Sequence, residues 1–117
     1  FVDRVCDQVK HLLKKKDLDR LDFYVELLVR EILNNCILHG CNLDVRKEVF
    51  MQCCINEQDI CISAQDQGEG FNWEQYFKSC LSDQTLVSGR GLHIVCLYSD
   101  SVMFNNKGNE VQVKKFI

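Results

Sequence analysis

The sequence has 117 residues, enough for one domain and too few for two of ordinary size. Apolar residues make up 46% of it, which allows a packed core and argues against disorder. A formal charge of −3 speaks against a direct nucleic-acid partner, because phosphate binding draws on a basic excess or stripe. No apolar run nears the roughly 20 residues that span a bilayer, so no membrane segment is expected.

Val2, Val5, Cys6, Val9, Leu12 and Leu13 recur at helical spacing, which predicts an amphipathic helix over residues 2–15. The run Lys14 to Lys16 closes it, as a favourable charge at a helix C-terminus. "KDLDRLD" breaks the pattern, and a longer helix is expected from about Leu18 to His39, with Gly40 as its left-handed terminator. Leu21, Val25, Leu28 and Ile32 form its apolar side, yet Glu31, Asn35 and His39 project into the same half. From Lys47 to Ile55 the period changes to two, with Val49, Met51, Cys53 and Ile55 on one face. After the turn "NEQ", Ile60, Ile62 and Ala64 share a face of the next strand. A weak helix, "NWEQYFKSCL", and a polar stretch lead to "GRG", then to a helix over Leu92 to Tyr98. Two strands, about Ser101 to Asn105 and Glu110 to Ile117, flank "NKGN". The expected fold is an α/β (α+β) two-layer sandwich: a mixed, mostly antiparallel meander covered on one face by helices, one domain over residues 1–117.

Eight cysteines could signal a disulfide-stapled secreted domain, but Cys36 sits in a helix and Cys53, Cys54 and Cys61 lie in strand-like runs. With no CxxC pair, no zinc spacing and no visible signal peptide, they read as reduced, mostly buried residues of a cytoplasmic protein. The sequence opens on Phe1 rather than methionine, which fits a piece of a longer regulator.

Two further constellations join the polar half of the long helix. Counting by twos from Ile60 lands on Asp66, so its carboxylate faces the core, and burying it calls for a donor. Gly68 and Gly70 follow, where the backbone can approach a ligand closely. Such a carboxylate suits a flat ligand that offers an N–H; the alternative is a hairpin turn with an incidental acid. In "SGRGLHIV", Gly89, Arg90 and Gly91 precede Leu92 at a helix start, a place where backbone N–H groups and a guanidinium can hold an anion. A loop glycine pair is the plainer reading of that segment taken alone.

In order, E-x-x-x-N-x-x-x-H-G on a helix, D-x-G-x-G after a strand and G-x-G-L opening a helix resemble the N, G1 and G2 boxes of the GHKL ATPase superfamily (Bergerat fold). The likeness runs from about Leu18 to Ile117. Within the superfamily, "EILNNCILHG", "DQGEGF", "GRGLHIV" and "FNNKGNEVQVKK" look most like RsbW-type anti-sigma-factor serine/threonine kinases. The resemblance implies ATP and Mg²⁺ as cofactors. It implies that Asp66 accepts from the adenine amino group, that Gly68, Gly70, Gly89, Gly91 and Leu92 close on the nucleotide, and that Asn35 holds the metal. Arg90 would steady the terminal phosphate, and Phe71 to Ser88 would be a short lid. Glu31, one turn before Asn35, would be the catalytic base for a hydroxyl. His39 reads as a packing residue.

The implied partners are a small STAS-like anti-anti-sigma protein, a sigma factor and a second copy of the chain. Histidine kinases of the same superfamily usually carry asparagine where this chain has Glu31. Two departures point toward a non-catalytic, ATP-dependent binding module instead. Gln112 stands where relatives often place a hydroxyl near the adenine, and Asn34 and Cys36 flank Asn35.

Overall fold

A computed structural model describes residues 1–37, 46–68 and 90–117. Helix α1 (Val2–Lys15) buries Cys6, Val9 and Leu13, with Asp3 in its first turn and Lys14 and Lys15 in its last, each favourable for the helix dipole. It ends where Asp17 takes a positive φ of 58°. Leu18 N–H then reaches back to Leu13 O at 2.8 Å and Asp17 N–H to Lys14 O at 3.1 Å, a Schellman closure with Leu13 and Leu18 both buried.

A 3-10 turn (Asp19–Leu21) leads into α2 (Asp22–Asn35), and Cys36 and Ile37 continue as a π-type turn. The single helix expected from Leu18 is thus split at its start, because the Asp17 reversal leaves room for one tight turn before regular helix resumes. Its expected end at His39 and Gly40 lies outside the described residues, as does the helix expected after Phe71.

Strands β1 (Val49–Ile55) and β2 (Asp59–Asp66) pair antiparallel through a tight hairpin in which Asn56 Oδ1 accepts from Gln58 and Asp59 N–H. Helix α3 (Arg90–Tyr98) passes to β3 (Ser101–Phe104), which pairs with β4 (Glu110–Phe116). The order is β1-β2-β4-β3, every neighbouring pair antiparallel. This departs from the expected meander. The helical crossover carries β3 one place outward, and β4 returns into the gap beside β2.

Ile60, Ile62 and Ala64 of β2, with Val111 and Val113 of β4, form the floor of the core; Val25, Leu28, Val29 and Ile32 of α2, with α1 and α3, form its roof. Ile60, Ile62, Val113 and Leu28 are fully buried, each worth about 1.5–3 kcal/mol of apolar transfer. Phe50, Met103 and Phe116 alternate onto the outer sheet face and are exposed there. No disulfide joins the described cysteines, of which Cys6 and Cys36 are buried and Cys54 is exposed. Among the described residues no helix is long and apolar enough to cross a membrane.

Candidate functional site

The period-two pattern of β2 delivers Asp66 to the core face, where it is 7% exposed. A carboxylate there needs donors, and Oδ1 accepts from Gly68 N–H at 2.7 Å. Gly68 is itself buried, so the chain folds tightly over the acid. Asp66 N–H donates to Asn109 O at 2.9 Å, and Asn109 Nδ2 donates to Asp66 O at 3.1 Å. Next to it, Gln67 Oε1 accepts from Glu48 N–H at 2.9 Å and ties the start of β1 to the end of β2.

Helix α2 has two polar edges with different uses. On one, Glu26 meets Lys10 and takes Arg30 at 3.0 Å, while Arg30 reaches Asp3 at 2.7 Å, so this edge is bound to α1. Glu31 and Asn35, half-buried and one turn apart, lie on the other edge together with Tyr24. Tyr24 faces α3, its ring centroid 5.9 Å from that of Tyr98. Glu31 and Asn35 are therefore turned toward α3 and away from α1, while His39 lies outside the described residues.

The ends of these elements meet. Lys115 pairs in register with Ile60 near the start of β2, and its Nζ lies 4.9 Å from the Tyr24 ring centroid. The start of α2 and the finish of α3 are thus anchored where β2 begins. Since buried residues recur along α2 from Val25 to Leu33, the helix keeps one face on the core and runs over the sheet toward the Asp66 end. From Tyr98 the chain reverses within Ser99 and Asp100 into β3, whose Phe104 pairs with Val111, itself opposite Ala64. Packed on α2 and β3, α3 therefore starts toward that same end. By this path the later turns of α2, which carry Glu31 and Asn35, and the first turn of α3 lie toward the end of the sandwich where β2 finishes at Asp66.

That first turn consists of Arg90, Gly91 and Leu92, so the helix begins two residues earlier than the sequence pattern suggests. Its leading backbone N–H groups have no partner within the helix, which makes the end attractive to anions. Gly70, Gly89 and the segment Phe71 to Ser88 lie outside the described residues. Among the described residues no cluster of three or more His, Cys, Asp or Glu side chains could hold a metal. An amide oxygen at Asn35 beside the Glu31 carboxylate is a hard-oxygen pair. It fits Mg²⁺, which keeps several waters and takes few protein ligands. A groove lined by Lys16, Leu18, Ile55 and Ile117 belongs to the opposite, hairpin end of β2.

Gln112 is not near this end of the core face. It alternates onto the outer sheet face, where Nε2 donates to Cys61 Sγ at 3.3 Å, so its departure from the superfamily pattern does not bear on a base contact. Asn109, which no hydropathy pattern marks, touches Asp66. Its signal was the run of asparagines around Gly108.

A family model described as the histidine kinase-like ATPase domain matches residues 2–115. The anti-sigma F factor of Clostridium perfringens (strain SM101 / Type A) is 29% identical over 97 residues, covering 78% of this chain and 69% of that protein. Among solved structures, the histidine kinase domain from the Erythrobacter litoralis EL346 blue-light activated histidine kinase superposes with a TM-score of 0.58 at 15% identity, a likeness of fold. It takes in 97% of this chain, which spans 58% of that chain's length. With almost its whole length matched by the family model, and with the sheet and helices the fold requires, the chain belongs to the histidine kinase-like ATPase domain family.

Proposed function

We propose that the chain is an ATP-binding serine/threonine protein kinase of anti-sigma-factor type, residues 1–117 forming one catalytic domain. The observation that carries this reading is Asp66, a buried carboxylate bonded to the backbone of a glycine turn at the end of β2. Asp66 accepts from the adenine amino group. Gly68, Gly70, Gly89 and Gly91 let the backbone close on the nucleotide, with Leu92 against it in the first turn of α3. Arg90 and the N–H groups of that turn hold the phosphates.

Asn35 holds Mg²⁺, which when bound offsets the phosphate charge. Glu31 takes the proton of a serine or threonine hydroxyl as its oxygen bonds to the γ-phosphorus and the bond to the β-phosphate oxygen breaks, releasing ADP. The likeness to an anti-sigma F factor supports a sigma factor as bound partner and, with it, a small STAS-like anti-anti-sigma protein as phosphoryl acceptor. A homodimer in a cytoplasmic setting completes the proposal.

The test is phosphotransfer from labelled Mg-ATP to a candidate anti-anti-sigma partner. Glu31→Ala should cut transfer by about 100-fold or more and keep nucleotide binding. Transfer at the wild-type rate would remove Glu31 as the base. ATP-dependent association without any labelled product would favour a non-catalytic binding module, and an acid-labile product would mark an imidazole acceptor.

A further inference from the structure

We propose that Asn109, held in place by Asn105, is a positioning residue that aims the Asp66 carboxylate and thereby sets selection for a purine bearing a 6-amino group. The proposal rests on the reading of Asp66 as the acceptor for that amino group.

The β2–β4 ladder ends at the pair Gln65–Glu110, one residue short of Asp66. On its β4 side, Asp66 is therefore held by one residue in place of a ladder partner. Asn109 accepts from Asp66 N–H through its main-chain oxygen at 2.9 Å and donates to Asp66 O from Nδ2 at 3.1 Å. Both main-chain polar groups of the acid are fixed by a single asparagine.

Asn109 is in turn oriented from behind. Its Oδ1 accepts from Asn105 Nδ2 at 2.7 Å, which settles the way the amide faces: oxygen toward Asn105, nitrogen toward Asp66. Asn105 is anchored by its own Oδ1, which accepts from Gly108 N–H at 2.7 Å, Asn109 N–H at 3.1 Å and Glu110 N–H at 3.3 Å. Gly108, at φ 82°, lets the turn wrap beneath that oxygen. The chain of contacts runs from the β3–β4 turn through Asn105 and Asn109 to the Asp66 backbone, and from Asp66 Oδ1 to Gly68 N–H. With one carboxylate oxygen and both adjoining peptide groups held, the direction of the other oxygen is constrained. A fixed acceptor separates an amino purine from an analogue that lacks the donor, because a misplaced or unmatched buried acceptor forfeits the bond.

An asparagine is suited to this place. Alanine would keep the main-chain contact and lose the donor, and aspartate would set an oxygen against the Asp66 carbonyl while keeping an acceptor for Asn105.

The experiment measures the affinity of the full chain for Mg-ATP and for the triphosphate of purine riboside, which lacks the 6-amino group, in the wild type, Asn109→Ala and Asn109→Asp. The wild type should prefer ATP. Both variants should bind ATP about fivefold to tenfold more weakly and bind the amino-free analogue within about twofold of wild type. Asn109→Asp keeps size and shape and exchanges the donor for a charged oxygen, and because both nucleotides carry the same triphosphate, the ratio of their affinities carries the test should the alanine variant fold poorly. Parallel loss for both nucleotides, or no loss for either, overturns the positioning role and leaves Asp66 as the base acceptor intact. A wild type without preference for ATP overturns both that reading and this one.

Discussion

Replacing Asp66 with asparagine separates a binding residue from a structural one by the sign of two effects. The side chain is 7% exposed, and its Oδ1 holds Gly68 N–H at 2.7 Å. If the asparagine oxygen keeps that bond, its NH₂ faces the amino group of the base, donor against donor. If the amide turns over, NH₂ meets Gly68 N–H and the turn is lost. Either way one charge-assisted hydrogen bond disappears, about 2–3 kcal/mol, or roughly 30- to 150-fold in Kd for Mg-ATP. Without nucleotide, a neutral amide is easier to bury than a carboxylate, so Asp66→Asn should melt no lower than wild type. Titration calorimetry with Mg-ATP and thermal melts of the free protein measure both. Affinity within about threefold of wild type, or a fall in stability large enough to account for the binding loss, would refute the reasoning.

Further outcomes follow from elements outside the site. Asp17 holds a φ of 58° at the Schellman closure of α1, so Asp17→Gly should raise stability by about 0.5–1 kcal/mol, or about 2–5 °C in Tm, in a melting experiment. Hydrogen bonds from Lys10 and then Arg30 hold the Glu26 carboxyl below the usual carboxylate range. Its contribution is therefore complete above the unfolded-state pKa and is lost as pH falls through the lowered folded-state value. Denaturant titrations should show Glu26→Gln destabilised at neutral pH, with the difference from wild type closing as pH falls below the usual carboxylate range. Burial pushes the Cys53 thiol up to about 11, and Cys6 and Cys36 are buried, whereas Cys54 is exposed. A thiol-alkylating reagent followed by peptide mass mapping should label Cys54 before those three; equal labelling in the folded protein would contradict the described packing.

Much of the fold was legible because two periods govern it. Alternation along β2 placed Ile60, Ile62, Ala64 and Asp66 on one face, and each is buried. The spacing of Val2, Val5, Cys6 and Val9 located α1 within a residue. What escaped the pattern depends on backbone geometry or on neighbours distant in sequence. An aspartate in the left-handed region at Asp17 leaves no mark in hydropathy, so the 3-10 turn before α2 was absorbed into one long helix. Strand order depends on where the crossover sets β3 down, which alternation along a single strand does not encode. Asn109 looked like turn composition because its role exists only through contact with a residue 43 positions away. Asp66 was the part of the site a sequence could reveal, since a charged residue at a core position violates the pattern around it.

The central claim is that the end of β2, the latter part of α2 and the first turn of α3 hold a single nucleotide. A structure of the chain with Mg²⁺ and a non-hydrolysable ATP analogue tests it most directly. It should show the adenine amino group within hydrogen-bond distance of Asp66, the metal at Asn35 with Glu31 beside the terminal phosphate, and phosphate oxygens against the start of α3. Nucleotide bound elsewhere on the sandwich, or a base that leaves Asp66 untouched, would contradict it.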